Sequence, residues 1–112
     1  MKKLVYCAHA STTWHMANII MEYVFKCGHV PLEPFTCLGW GTHYKFAKDF
    51  DALIQNDLLI LSKCDELWVF GSVSKGVGIE IECAKEHNIP IVSLAWNDIK
   101  GSVVRCPANQ LE

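Results

Sequence analysis

The chain has 112 residues, a length that fits one compact domain built around a single hydrophobic core. Hydrophobic residues make up 51%, charged residues 20%, and the formal net charge is −2, which excludes a large basic surface for nucleic acid polymers. The N-terminal lysines precede only a short apolar run, without a secretory core or a membrane span of about 20 residues, so we expect a cytoplasmic protein that does not bind membranes.

Strand and helix patterns alternate in the first third of the chain. Lys3–Ala8 has the short apolar pattern of a strand. Thr12 or Thr13 is predicted to cap a following helix, whose apolar residues recur at helical spacing until Gly28 ends it. Val30–Leu32 is predicted to be a second, shorter strand.

The same alternation continues to the end of the fourth predicted strand. Pro34–Tyr44 is predicted to be a loop, Phe46–Lys63 a helix, Glu66–Phe70 a strand, Gly76–His87 a helix and Ile89–Leu94 a strand. Strands separated by helices predict a parallel sheet with right-handed crossovers. We therefore expect a three-layer α/β domain, flavodoxin-like or Rossmann-like, spanning residues 1–112, with four to five strands in the order 2-1-3-4(-5) and helices on both faces.

The cysteines and histidines form no recognisable ligand or disulfide pattern. No C-x-x-C or H-E-x-x-H spacing occurs, and most of the cysteines lie within apolar runs. We therefore expect no metal site, and reduced core thiols at Cys7, Cys27, Cys37, Cys64, Cys83 and Cys106.

The segment after the third strand has the pattern of a small-ligand site. Ser74–Gly78 supplies a hydroxyl group, two glycines and backbone N–H groups at a helix start, an arrangement that favours anions. Glu80 follows within the first two turns of that helix. A phosphate on the loop would leave a sugar within reach of Glu80, which indicates nucleotide chemistry.

A second loop is expected at the same edge of the sheet. In the order 2-1-3-4 the first and third strands are neighbours, and ligands bind beyond the carboxyl ends of such strands. The loops Cys7–Thr13 and Gly71–Gly78 therefore meet, and they bring Tyr6 and His9 towards Glu80.

The residues around this segment resemble one enzyme superfamily. Ser74–Ile81, with Ala84 further along the helix, looks like the nucleophile segment of the nucleoside 2-deoxyribosyltransferase superfamily, closest to its 2'-deoxynucleoside 5'-phosphate N-hydrolase branch. Leu4–Ala8 is similar to the family's first strand, and Asp57 to the catalytic aspartate on the helix before strand three. The run Cys64–Gly71 also resembles small phage and bacterial relatives of unassigned function.

The resemblance implies a role for each matching residue. Glu80 would be the nucleophile, Tyr6 would orient it, and Asp57 would position the sugar or carry a proton to the leaving base. No metal or organic cofactor is implied, and the expected partner is a small nucleoside or nucleotide, bound by a homodimer or larger homo-oligomer with a shared site. The predicted substrate-binding residues, of which His9 and Asn97 are chosen for their loop positions and not from the resemblance, are His9, Ser11, Asn18, Ser74, Lys75, Gly76, Val77, Gly78 and Asn97.

Two departures from the family pattern leave another interpretation open. His9 stands where the family normally has glycine, and Glu82 adds a carboxylate two positions after Glu80, on another face of the helix. The same pocket could therefore bind a nucleotide or a nucleotide-derived signal without turnover, or could be vestigial in a structural subunit. In such a protein, Glu80 is a solvated helix carboxylate and Ser74 a plain helix cap.

Overall fold

The computed structural model of the protein describes residues 1–37, 50–100 and 106–107, and this part contains a four-stranded parallel sheet. The strands are β1 (Leu4–Ala8), β2 (Val30–Leu32), β3 (Glu66–Phe70) and β4 (Ile91–Leu94). Their order is β2-β1-β3-β4, and every neighbouring pair is parallel. The predicted fold class and strand order are confirmed.

The helices cover both faces of this sheet. No helix in the described ranges is both long and apolar enough to cross a bilayer. A 3-10 helix (Ser11–Met16) leads into the first α-helix, and the α-helices are α1 (Ala17–Lys26), α2 (Pro34–Cys37), α3 (Phe50–Ser62), α4 (Lys75–Glu86) and α5 (Trp96–Lys100).

The start of the first helical segment differs from the prediction. Neither Thr12 nor Thr13 caps it, because the 3-10 helix begins at Ser11 and its N-cap residue, Ala10, makes no side-chain capping bond. The Thr13 hydroxyl instead donates to the Ala10 carbonyl oxygen at 2.7 Å. At the other end the prediction is confirmed, since Gly28 follows α1 with a φ of 87°, a conformation that favours glycine.

Other boundaries differ in smaller ways. The short helix α2 forms within the predicted loop Pro34–Tyr44, whose residues 38–44 lie outside the described ranges. Residues 46–49 of the predicted helix Phe46–Lys63 also lie outside them. The last strand begins at Ile91 rather than Ile89; Pro90, which has no N–H, contributes only its carbonyl oxygen to β3. The five-residue helix α5 had no counterpart in the prediction.

The alternation of side chains along β1 decides which helices each residue meets. Val5 and Cys7 belong to the core beneath α1 and α5. Tyr6 and Ala8 belong to the core beneath α3 and α4. Because successive strand residues point to opposite faces, Tyr6 lies on the side of the sheet where α3 carries Asp57 and α4 carries Glu80.

A paired carboxylate lies at the opposite, amino-terminal end of β3. Glu66 is 1% exposed, and it accepts hydrogen bonds from the Lys3 ammonium group and the Trp68 indole N–H, both at 2.8 Å. Buried charges are tolerated when they are paired and hydrogen-bonded in this way. The contact connects the start of β1 to the start of β3.

The expectation of six reduced core thiols is wrong for three cysteines. Cys27, after α1, and Cys106 form a disulfide across 79 residues of sequence, with Cα atoms 5.5 Å apart. The free thiol of Cys37 is exposed, so it is not a core residue either. Tertiary folding brings Cys27 and Cys106 together, and sequence spacing does not reveal such a pair. The thiols of Cys7, Cys64 and Cys83 are free and buried as expected.

The Cys27–Cys106 bond closes a long loop, so its loss should destabilise the protein. We expect Cys106→Ser to lower the free energy of unfolding by about 2–5 kcal/mol, mainly because the unfolded chain gains freedom. Chemical denaturation of the oxidised protein and the variant would measure this. Cys37→Ser, which removes an exposed free thiol, is the matched control. Equal stabilities for wild type and Cys106→Ser would contradict the prediction.

Candidate functional site

The candidate site is built around a hydrogen bond between Tyr6 and Glu80. Tyr6 is fully buried in β1, and its hydroxyl donates to Oε2 of Glu80 on α4. The Glu80 side chain is 5% exposed. Residues distant in sequence therefore meet at the carboxyl end of the sheet, on the face covered by α3 and α4.

The turn after β3 determines where α4 begins. Gly71 has a φ of 79°, and a side chain there would collide with the indole of Trp96, because a Cβ atom would lie 2.5 Å from its Nε1. Ser74 then caps α4 by accepting a hydrogen bond from the Val77 N–H at 3.2 Å. Glu80 follows in the second turn and faces the sheet.

Burial dominates the acid–base behaviour of Glu80. The pKa of the Glu80 carboxyl group is raised from 4.5 to about 8; burial is the largest cause, the hydrogen bond from Tyr6 lowers the pKa, and the charges of Asp57 and Glu33 raise it. Burial and the adjacent Glu80 carboxylate also raise the pKa of Tyr6, so the phenol remains a hydrogen-bond donor. No ion pair in the described part of the chain involves Glu80.

Asp57 on α3 is a second carboxyl group with altered acidity. It is partly buried, and this burial, followed by the charge of Glu33, raises the pKa of Asp57 from 3.8 to about 6. Asp57 in turn raises the pKa of Glu80. Two neighbouring carboxyl groups with different proton affinities are a common feature of acid–base sites.

Glu33 is a further acidic residue of the site, and the sequence alone did not identify it. Tyr6, Glu33, Asp57 and Glu80 are together called the buried cluster. Glu33 lies between β2 and α2, is 1% exposed, and its Oε1 accepts the Thr36 N–H at 2.7 Å. Its Oε2 contacts Nε2 of His9. The signal that could have identified Glu33 is its position directly after a short strand, β2, which pairs with β1.

The structure gives His9 a different environment from the predicted one. The ring is buried, with Nδ1 2.9 Å from the Thr13 hydroxyl oxygen and Nε2 against Glu33. Phe35 packs edge-on against it, with ring centroids 5.0 Å apart. Both ring nitrogens are therefore engaged within the protein, and neither is directed to a substrate phosphate.

The other predicted binding residues have mixed positions. On the α4 loop, the Val77 N–H bonds to the Ser74 hydroxyl oxygen and the Gly78 N–H to the Ser74 carbonyl oxygen at 2.9 Å. The N–H groups of Lys75 and Gly76 lie in the first turn of α4, where an N–H group has no carbonyl acceptor within the helix. The side chains of three further predicted residues are exposed and make no contact that brings them to Glu80: Ser11, Asn18 and Asn97.

An open groove lies on the outside of the same helix pair. It has a volume of about 680 Å³, runs between α3 and α4, and is lined in part by Leu58, Leu59, Ile79 and Cys83. It does not include Glu80 or the other residues of the buried cluster. We locate the candidate site at the buried cluster because raised carboxyl pKa values indicate reactive groups more specifically than surface concavity does. Among the described residues, no three His, Cys, Asp or Glu side chains are grouped to hold a metal ion.

Comparison with protein families gives one match. Residues 5–94 match a family model described as Domain of unknown function (DUF7768). The matched range includes every member of the buried cluster. A search of curated proteins gives no match.

The raised Glu80 pKa makes the stability of the protein depend on pH. Below pH 4.5 both the folded and the unfolded protein carry the proton, whereas between 4.5 and about 8 the unfolded chain releases it more readily. Stability should therefore fall as pH rises through this interval, by a total on the order of a few kcal/mol. We expect Glu80→Gln to flatten this pH dependence. Near pH 8, the variant should melt at a higher temperature than the wild type.

Thermal unfolding across this pH range would measure the effect. Glu82→Gln is the control, because Glu82 lies on the same helix with an exposed side chain. The control should keep the wild-type slope. A Glu80→Gln protein with that same slope would show that Glu80 does not cause the dependence.

Proposed function

We propose that this chain, which belongs to the family of domains of unknown function DUF7768, cleaves the N-glycosidic bond of a (2'-deoxy)nucleoside or its 5'-monophosphate. The observation that carries the proposal is the buried Glu80 carboxyl group, which accepts a hydrogen bond from Tyr6 and neighbours Asp57. The resemblance to the nucleoside 2-deoxyribosyltransferase superfamily supports it, since the same three residues match that family's reacting groups.

In the first step, an ionised Glu80 oxygen attacks the anomeric carbon of the sugar. A carbon–oxygen bond forms while the carbon–nitrogen bond breaks, and the base departs with the electron pair of that bond. Asp57 supplies the proton that the departing nitrogen takes up. Tyr6 keeps the attacking carboxylate oriented through its hydrogen bond.

In the second step, Asp57 accepts a proton from water, and the water oxygen displaces Glu80 from the sugar. Another base in place of water gives transfer rather than hydrolysis. This cycle needs one ionised and one protonated carboxyl group. With pKa values of about 6 for Asp57 and about 8 for Glu80, the pair holds one proton between these values, and that proton lies mostly on Glu80. The reactive arrangement, with the proton on Asp57, is a minor form whose share is greatest in this interval, so activity should be greatest there.

The proposal includes no metal or organic cofactor, because the nucleophile and the proton carrier are side chains. The N-terminus of α4 would hold a 5'-phosphate through the Ser74 hydroxyl group and the N–H groups of Lys75 and Gly76. The proposal also includes a cytoplasmic location. The resemblance implies a homodimer or larger homo-oligomer with a shared site, and Asn97, just past β4, would reach the pocket of a neighbouring subunit.

A second candidate function is nucleotide binding without turnover. One observation favours it: with a pKa of about 8, most Glu80 carboxyl groups carry a proton at neutral pH, and a protonated carboxyl group is a hydrogen-bond donor rather than a nucleophile. A binding module would retain nucleotide and release no base at any pH.

Replacing Glu80 should separate these functions. We expect Glu80→Gln to lower base release from nucleosides and monophosphates by several orders of magnitude, because the amide cannot form the glycosyl ester. Chromatography of the free base, with a panel of ribosyl and deoxyribosyl substrates, would measure this. Glu82→Gln should keep wild-type activity. Activity of Glu80→Gln within about tenfold of wild type would remove Glu80 from the reaction.

The α4 loop predicts that a 5'-phosphate improves binding. A charge-assisted contact contributes roughly 1.5–3 kcal/mol, so a monophosphate should bind about tenfold to a hundredfold more tightly than its nucleoside. Calorimetric titration of the inactive Glu80→Gln protein with a matched pair would measure the difference. Ser74→Ala should reduce it. Equal affinities for the pair would show that the loop does not bind phosphate.

A further inference from the structure

The contact between His9 and Glu33 joins two loops at the edge of the candidate site. His9 follows β1 and is 4% exposed, while Glu33 follows β2 and is 1% exposed. Nε2 of the imidazole meets Oε2 of the carboxyl group, and Nδ1 lies 2.9 Å from Oγ1 of Thr13. We call these two residues the His9–Glu33 pair.

The hydrogen bonds around Thr13 determine which ring nitrogen carries a proton. The Thr13 hydroxyl group lies 2.7 Å from the Ala10 carbonyl oxygen, and that oxygen can only accept. The single hydroxyl proton is therefore used there, and Oγ1 must accept from His9. It follows that Nδ1 of His9 carries a proton.

The other ring nitrogen requires one more proton. Without one, a lone pair on Nε2 would face a lone pair on Oε2 of Glu33 in a contact sealed from water. The pair therefore holds two protons, one on Nδ1 and one shared. Whether the shared proton belongs to nitrogen or oxygen, the net charge of the pair is zero.

Titratable groups from several elements lie within the electrostatic reach of Glu33. Taken by itself, the negative charge of the Glu33 carboxylate raises the pKa of the Cys7 thiol on β1, of Asp57 on α3 and of Glu80 on α4. His9 is the ion-pair partner that the described residues provide for Glu33. An uncompensated Glu33 carboxylate would add one further negative charge to the site.

We infer that His9 serves as the counter-ion of Glu33, so that the His9–Glu33 pair presents no net charge to Asp57 and Glu80. His9 thus acts as a positioning and charge-neutralising residue, not as a phosphate ligand. The inference rests on the proposed function only where it concerns catalysis. The pair itself and its effect on neighbouring carboxyl groups are properties of the folded protein without substrate.

A set of three variants tests the charge balance. His9→Gln keeps a hydrogen-bond donor towards Glu33 but removes the counter-ion, so Asp57 and Glu80 should titrate at a pH higher by roughly one unit. Glu33→Gln leaves a neutral imidazole that accepts from the new amide, so Asp57 and Glu80 should titrate at or below their wild-type positions. The double variant should titrate like Glu33→Gln.

Nuclear magnetic resonance measures both parts of the inference without substrate. Carbon-13 shifts of the carboxyl groups follow the titrations, and nitrogen-15 shifts of wild-type His9 should show a protonated Nδ1 at neutral pH. His15→Gln, which changes an exposed histidine on the 3-10 helix, is the control. Unchanged carboxyl titrations in His9→Gln, or an unprotonated Nδ1 in the wild type, would overturn the inference. The nitrogen measurement stands even where His9→Gln does not fold.

The two proposals can fail separately. Titrations that move as expected, without base release from any nucleoside or nucleotide, would support the neutral pair and reject glycosidic cleavage. Base release that depends on Glu80, with carboxyl titrations unaffected by His9→Gln, would support cleavage and reject the neutral pair. Where both hold, His9→Gln should move the optimum of base release to higher pH, which a purely structural role would not do.

Discussion

The hydrogen bond from Tyr6 to Glu80 is the interaction on which the site depends. A hydroxyl group in the middle of a buried strand needs a partner, and a carboxyl group in a helix face directed at the sheet needs a donor. Each group satisfies the other. The bond also links β1 to α4, which are separated by most of the chain, at the edge of the sheet where ligands bind in such folds.

Competing electrostatic effects determine the pKa of the Glu80 carboxyl group. The hydrogen bond from Tyr6 stabilises the ionised form of Glu80, but burial and the neighbouring carboxylates destabilise it more, so the proton is held until the pH reaches about 8. Glu66, at the other end of the sheet, differs because it has an ammonium group and an indole N–H as partners. The paired carboxylate at the amino-terminal end supports the fold. The carboxyl group of Glu80, which forms no ion pair with any residue in the described ranges, is suited to chemistry.

The His9–Glu33 pair explains how a third carboxyl group is accommodated beside Asp57 and Glu80. A proton count based on Thr13 makes the pair neutral. The imidazole of His9 and the carboxyl group of Glu33 are chemically complementary. A carboxylate at position 33 without the imidazole would add a negative charge beside two other carboxyl groups.

The sequence by itself determined the sheet order, the two functional loops and the meeting of Tyr6 with Glu80. Strand periodicity, the glycine turn after β3 and the Ser74 cap are local properties, and parallel pairing follows from the alternation of strands and helices. Only the tertiary structure decided the His9–Glu33 contact and the Cys27–Cys106 disulfide, because no motif or topology rule pairs these residues and both contacts depend on how separate elements pack. It likewise decided the acidity of Glu80, since burial is a property of the assembled layers and not of the local sequence.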